Sequence, residues 1–352
     1  MNRSIIRAGG ALGAALLVIA LTAVPAFACG GLIGPNGAVN LLQTTTLAAY
    51  HDGNEHYITA FQFAGGGGEF GSLTPLPGIP SSVEKGGDWT LQRLIRETEP
   101  QRFSVFQSAT GAALSDSAEE LMKVRIDALD VTVLRGGSAA VGEWATKHGF
   151  RLPPDAPEVL DFYAVRSPIF LAAVFDADAA AARGQAVGDG TPVHVTIPTD
   201  NPWVPLRILA LGKTPAERVD ADVYLLTNLA PALLPAPTGE NGLGLGHSAP
   251  ATNSLLEDLR SDRGMGWVPT SGWLTKVTID ASVPQLSFDL AIDASGAAAP
   301  SRLMAGLEMP GAAPVVDRTA DVIRIVLGLT LTIGGIGGIL LLVRQRPPLS
   351  MA

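Results

Sequence analysis

Ile325 to Val343 are nineteen consecutive residues without a charge, and this run limits what the chain can fold into more than any other. As a helix it rises about 28 Å, close to the roughly 30 Å hydrocarbon thickness of a bilayer. In lipid every backbone N–H and C=O must be satisfied within the segment, which leaves the helix as the form open to it. A buried core helix is the competing reading, but only Thr330 and Thr332 interrupt the apolar character. A transmembrane helix is therefore expected over residues 322–343. Gly334 and Gly338 form a small-xxx-small pair inside it, a face that lets a second helix approach closely. That face is expected to serve a homo-oligomer or another membrane protein. Arg318 and Arg324 precede the run and Arg344 and Arg346 follow it, so flanking charge does not set the orientation.

The amino terminus does set it. Arg3 and Arg7 stand without an acidic neighbour, Ala11 to Val24 is apolar, and Ala26 and Ala28 are small, the tripartite pattern of a secretory signal. Cleavage is expected between Ala28 and Cys29. A lipoprotein signal would carry a branched apolar residue three places before the cysteine and a small one two places before it, whereas Ala26 and Phe27 occupy those positions. Ordinary cleavage is the expectation. The resulting organisation is a signal peptide (1–28), an extracytoplasmic ectodomain (29–293, with a sub-boundary near 101–117), a Gly/Ala/Pro-rich spacer (294–321), the span, and a cytoplasmic tail (344–352). The expected localisation is the cell membrane, single-pass, with the ectodomain outside. The tail is too short to fold as a signalling domain.

Charge narrows the partners. Residues 29–320 hold 19 Lys and Arg against 32 Asp and Glu, a net of −13. That balance argues against nucleic acid and against electrostatic docking on anionic lipid. The single cysteine excludes an internal disulfide framework, so an apolar core has to supply stability.

Short strand candidates separated by Gly, Pro and Asp dominate the ectodomain, and the expected fold class is α+β, mostly antiparallel and β-rich with a few short helices. Leu41 to Tyr50 and His56 to Phe63 flank Asp52-Gly53-Asn54, a hairpin signal. Asp88 is placed to cap a helix carrying Trp89, Leu91, Leu94 and Ile95, Ser138 one carrying Val141, Trp144 and Ala145, and Asp155 with Pro157 a third. Gly149 stands where a helix C-terminus favours positive φ. Val124 to Ile126, Leu129 to Leu134, Ile169 to Phe175, Val193 to Ile197, Val204 to Leu211, Val223 to Leu226, Trp273 to Ile279 and Leu286 to Ile292 are expected strands. Pro231 to Pro250 is expected to be a long loop.

Chemical motifs are weak. His51, Glu55 and His56 approach an inverted zinc-protease pattern, but the spacing is one residue too long and the segment is a hairpin tip. No metal or cofactor is expected there. Ser82 to Lys85 matches S-x-x-K without the companion motifs that pattern requires, and no G-x-S-x-G elbow exists. Leu234 to Gly239 spells L-P-A-P-T-G, one residue longer than a cell-wall sorting signal. Gly65 to Gly68 lacks the Lys of a phosphate loop. His148, His194 and His247 stand apart in sequence, and folding alone can gather them. Trp203, Trp267 and Trp273 suit either a ligand groove or core packing. Catalytic residues are not identifiable from these patterns.

Cys29-Gly30-Gly31, the hairpin at Asp52-Gly53, Phe70 to Pro80 (FGSLTPLPGIP), Trp144 to Pro153 (WATKHGFRLP) and Val204 to Leu211 (VPLRILAL) together resemble the bacterial exported proteins grouped as domain of unknown function 2330. The resemblance covers most of residues 29–228. It implies an exported, often C-terminally anchored protein and carries no catalytic residues with it. Gly34 stands near the place where a second cysteine is frequent in that group, so a disulfide implied there lacks its partner. The expected function is binding or structural interaction at the cell envelope. An envelope hydrolase and an accessory subunit of a membrane complex are the alternatives.

Overall fold

Asp52 and Gly53 both hold a left-handed backbone, with φ of 49° and 74°, the two-residue turn whose twist matches that of paired strands. The strands it joins, Thr44–His51 and Asn54–Gln62, run antiparallel with Ala48 opposite Tyr57 and Leu47 opposite Ile58. The structure, a computed structural model, describes residues 31–34, 37–38, 44–62, 70–98, 120–184, 190–308 and 310. These fall in one unit, Met1–Pro310; a second, Gly311–Ala352, lies outside the described residues. So do the cleavage site at Ala28 and Cys29, the Gly65–Gly68 run, the 101–117 boundary, and the expected span with Gly334 and Gly338. Among the described residues no helix is long and apolar enough to cross a membrane.

In chain order the described strands are β1 (Gly31–Gly34), β2 (Gly37–Ala38), β3 (Thr44–His51), β4 (Asn54–Gln62), β5 (Phe70–Pro75), β6 (Ser82–Lys85), β7 (Glu120–Ile126), β8 (Leu129–Arg135), β9 (Ile169–Phe175), β10 (Gly190–Pro198), β11 (Trp203–Val204), β12 (Arg218–Thr227), β13 (Ala232–Leu234), β14 (Leu243–Pro250), β15 (Trp273–Ser282) and β16 (Leu290–Asp293). The helices are α1 (Thr90–Thr98), α2 (Ser138–Lys147), α3 (Ala156–Ala164), α4 (Ala177–Ala182) and α5 (Asn253–Ser261). They build a six-stranded sheet (β2-β1-β5-β9-β8-β7), a seven-stranded sheet (β14-β15-β12-β3-β4-β10-β6) and a three-stranded one (β11-β16-β13). Pairing is antiparallel except between β3 and β12. The fold is α+β, with mostly antiparallel sheets and few helices.

Strand alternation divides the seven-stranded sheet into two faces with different partners. Ala48, Tyr57, Val195, Val223, Leu225 and Val277 join one large core cluster that also takes in Leu73, Val131, Leu171 and Ala173 of the six-stranded sheet. Leu47, Ala49, Ile58, Tyr224, Leu226 and Leu274, on the opposite face, pack with Leu91 and Leu94 of α1 and Leu255, Leu256 and Leu259 of α5. The seven-stranded sheet is thus a middle layer. Each fully buried Leu or Ile in it contributes about 1.5–3 kcal/mol by removal from water.

Several elements depart from the sequence pattern, and each departure has a tertiary cause. Val204–Leu211 is a strand only at β11; Arg207–Ala210 forms a 3-10 turn. Asp289 Oδ1 accepts from Leu206 N at 2.8 Å and Arg207 N at 3.1 Å, and Tyr163 Oη accepts from Ile208 N at 2.8 Å. Side chains from elsewhere take the place of a neighbouring strand. Pro231 to Pro250, expected as a loop, instead supplies β13 and the edge strand β14, whose register shifts between Leu245 and His247. An edge strand pairs on one side only, so glycine and proline are tolerated there. Ser138 does not cap α2, whose N-cap is Gly137; Asp161 accepts from Ser138 N at 3.4 Å instead. Asp155 occupies the N-cap of α3 without a side-chain cap bond, its carboxylate accepting from Gly212 N at 3.0 Å. Gly149 has the expected positive φ, 70°. Residues 301–308, inside the stretch read as a spacer, fold back so that Ala305 is buried and its carbonyl accepts from Asp289 N at 3.0 Å.

Candidate functional site

His56 on β4 and His194 on β10 are adjacent in space because the register sets His56 opposite Thr196 and His194 opposite Ile58. Alternation turns both imidazoles to the face of the seven-stranded sheet that α1 and α5 cover. His56 Nδ1 lies 3.0 Å from His194 Nε2, and Thr196 Oγ1 lies 3.4 Å from that same Nε2. A hydrogen bond between two imidazoles needs one facing nitrogen protonated and the other bare, so the pair shares one proton in either tautomer. Burial disfavours the charged form of both rings and holds them at about 4, with repulsion from His51 adding to His56 and repulsion from His56 adding to His194. Both are neutral at physiological pH.

Trp267 covers this pair. Its ring lies flat on His56, with centroids 3.8 Å apart and planes 2° from parallel, and 5.4 Å from His194. Trp267 follows α5 on a segment that is fastened at both ends. Asp262 accepts from Asp88 N and Trp89 N, both at 3.0 Å, and from Thr90 Oγ1 at 2.7 Å. It therefore caps α1 from 172 residues away in sequence, where a carboxylate also meets the positive end of the helix dipole. Asp88, the expected cap, instead pairs with Lys85 at 3.3 Å, and Trp89 is 37% exposed rather than on the apolar face. Gly87 is required for this approach: a Cβ there would stand 2.4 Å from Asp262 Oδ2 and 2.2 Å from Thr90 Oγ1. On the far side, Arg260 donates to the Pro269 carbonyl at 2.7 Å.

The residues singled out from sequence do not converge. Glu55 and His56 are consecutive in a strand and point to opposite faces, and His51 turns to Asn228 Oδ1 at 3.0 Å and Asp52 at 3.2 Å. Ser82 to Lys85 is strand β6, which denies the serine–lysine pair its helical turn. His148 is stacked near Phe150 and tilted against Trp144, and His247 lies on β14. Trp203 is buried against Tyr163, with ring centroids 5.8 Å apart, while Trp273 Nε1 donates to Ser248 Oγ at 2.9 Å. The three tryptophans line no common groove. Leu234 to Gly239 runs out of β13, and Asn241 Nδ2 donates to the Ala236 carbonyl at 3.0 Å. Among the described residues no three His, Cys, Asp or Glu side chains gather to hold a metal ion. The pairing of His56 with His194 spans 138 residues, and no local pattern marks it.

Two further buried polar groups sit away from the histidines. Glu55, 0% exposed, accepts from Trp203 N at 3.2 Å through Oε2, while its Oε1 has no hydrogen-bond partner among the described residues. Burial pushes its carboxyl up to about 8, against the opposing pull of the Trp203 N–H. Asp289 accepts from Tyr163 Oη at 2.9 Å and pairs with Arg166 at 2.6 Å, all within the core. The guanidinium also lies 4.0 Å above the Phe162 ring. Burial raises Asp289 against the pull of Arg166.

Residues 23–232 match the family described as uncharacterized protein conserved in bacteria, DUF2330. No curated protein matches the sequence. Among solved structures, baculovirus P35 is similar at 9% identity with a TM-score of 0.38, over 72% of this chain and 96% of that one. A mutated baculovirus P35 after caspase cleavage gives 9% and 0.38 over 72% and 99%, and the caspase-8/P35 complex 9% and 0.37 over 72% and 96%.

Proposed function

This chain belongs to the DUF2330 family of uncharacterized bacterial proteins, and from that premise we propose that it is an exported, single-pass anchored protein whose ectodomain acts by binding at the cell envelope. Support for the address lies in the sequence, in the signal pattern ending at Ala28 and the uncharged run Ile325 to Val343. The observation that carries the binding reading is Trp267 laid on the neutral His56–His194 pair. It combines an aromatic face with ring nitrogens at a partly exposed position, the mixture by which recognition sites gain both area and direction. Arg166 with Asp289, and Asp262 at the start of α1, are by contrast spent on structure. Gly334 and Gly338 offer the span a second contact, with another copy or another membrane protein.

Two measurements test this reading. Thiol labelling of intact cells with an impermeant reagent, in a Cys29→Ser background, should modify Glu308→Cys and spare Ser350→Cys until the membrane is opened. Labelling of Ser350→Cys in intact cells overturns the orientation. Purification of the intact protein from membranes should retain a partner that Trp267→Ala releases. Release of fragments from an isolated envelope polymer by the purified protein would replace binding with hydrolysis.

A further inference from the structure

We propose that the His56–His194 pair under Trp267 is an acid-operated latch, in which uptake of two protons by the pair lifts the indole and dismantles the recognition surface. The inference deepens the binding reading by assigning a regulation to the same cluster, and it rests on that reading only for what the surface does. The two rings meet end-on, with His56 Nδ1 3.0 Å from His194 Nε2 and ring centroids 5.2 Å apart. One hydrogen stands between the facing nitrogens, given by one neutral ring and accepted by the lone pair of the other. A first added proton goes to the far nitrogen of the donor ring, which keeps the bond and strengthens it by charge. The indole face stacked on His56, with centroids 3.8 Å apart, accommodates that charge. A second proton has only the facing lone pair left to take. Two N–H groups then point at each other and two cations share a buried site, so the rings must part.

Trp267 is placed to move on this signal. Met265 and Val268 beside it are buried, Asp262 is tied to the start of α1 and Arg260 to the Pro269 carbonyl, so the backbone is held while the side chain turns about its own bonds. The indole Nε1 is buried without a hydrogen-bond partner among the described residues, and turning outward hydrates it. What keeps the ring down is its flat stack on a neutral His56. Few other charges face the pair. His51 lies on the same sheet face on β3, and Glu84, which is exposed, stands opposite His194 on the edge strand β6. Of the covering elements, α1 and α5 present leucines to the pair's face, while Arg93, Glu97 and Asp258 pair among themselves, as do Lys85 and Asp88; Arg263 is exposed. Burial is therefore the main force against charging the rings, with His51 repelling His56 and His56 repelling His194. The covered rings stand at about 4 against an ordinary 6.5. The closed latch is accordingly secure above 6.5 and loses ground as pH falls towards 4.

The test uses the full chain, purified in detergent with 5-fluorotryptophan at its five tryptophan positions and followed by fluorine magnetic resonance from pH 7 to pH 4. Trp267→Phe identifies the resonance of the latch. On acidification that resonance should move to the position of a solvent-exposed ring, while those of Trp144 and Trp203, buried in the core, stay in place. The ratio of open to closed should rise by more than the roughly tenfold per pH unit that one proton supplies, approaching the roughly hundredfold that two supply. His56→Gln and His194→Gln should each bring that slope down to about tenfold or less. An unmoved Trp267 resonance, a wild-type slope of about tenfold or less, or movement of Trp144 and Trp203 together with Trp267 overturns the latch; the wild-type slope decides the matter if the histidine variants do not fold. Opening of the latch in a chain that retains no partner at pH 7 would sink the binding reading alone, whereas a retained partner with an unmoved Trp267 resonance would sink the latch alone.

Discussion

Replacing Glu55 with glutamine should stabilise the protein at neutral and alkaline pH and remove a pH dependence that the wild type carries. The carboxyl stands at about 8 in the fold against an ordinary 4.5, burial being the main cause. A raised acid keeps its proton in the native state after the unfolded chain has released it. Its contribution to stability is therefore full below about 4.5 and is lost as pH rises to about 8, where the native state ionises too. The difference of about 3.5 pH units converts, at about 1.4 kcal/mol per unit, to roughly 5 kcal/mol lost across the window, of which about 3.4 kcal/mol is already gone at pH 7. Glutamine keeps an acceptor for Trp203 N and never ionises. Urea denaturation of residues 29–310, followed by tryptophan fluorescence at pH 5, 6, 7 and 8, reads the difference between variant and wild type at each pH. Taking that difference cancels the opposite slope of the lowered His56 and His194, which cost stability as pH falls from about 6.5 towards 4. The glutamine variant should gain about 1.4 kcal/mol on the wild type for each unit of rising pH. A flat difference from pH 5 to 8 would refute the reasoning, because it would mean that Glu55 ionises as if in water and that the site between the sheets is hydrated.

Two other perturbations probe the long-range polar contacts. Arg166→Met leaves Asp289 buried without its cation and should cost about 3–5 kcal/mol in urea denaturation, whereas the double change with Asp289→Asn, which removes the charge and keeps an acceptor for Leu206 N and Arg207 N, should recover part of that loss; a double variant less stable than Arg166→Met contradicts the pairing. Gly87→Ala pushes a methyl against Asp262 and Thr90 and should cost about 1–3 kcal/mol through strain and loss of the α1 cap, with Trp267 emission shifting as its segment loosens. Unchanged stability together with unchanged emission would show that Asp262 does not fasten that segment.

The hairpin at Asp52-Gly53, the strands Ile169–Phe175 and Trp273–Ile279 (the latter extending to Ser282 in the fold), the buried face of α2 with Val141, Trp144 and Ala145, and the α+β class were all legible along the chain. They rest on turn chemistry and on alternation of period two or 3.6, which neighbouring residues carry by themselves. Strand β14 was not legible, because an edge strand needs only backbone partners and Leu243–Pro250 lacks an apolar alternation. Nor was the cap of α1: Asp88 stands at the right place locally, but Asp262 reaches the same N–H groups from a segment that no pattern near residue 88 announces. The candidate site was readable only as separate residues. His56 figured in a motif with His51 and Glu55 that strand alternation pulls apart, while its actual partner, His194, looked isolated.

By itself the sequence determined the two apolar segments at the ends, the family, the antiparallel β-rich class and the absence of a disulfide framework. Those properties depend on composition, short periodicity and cysteine count, which are local or additive. The tertiary structure alone decided which charges are buried and with what partner, which strand lies at the edge, and which two imidazoles meet under Trp267. Register across β4 and β10 places His56 and His194 within 3.0 Å, and register is set by the packing of whole faces against each other rather than by any short stretch of residues.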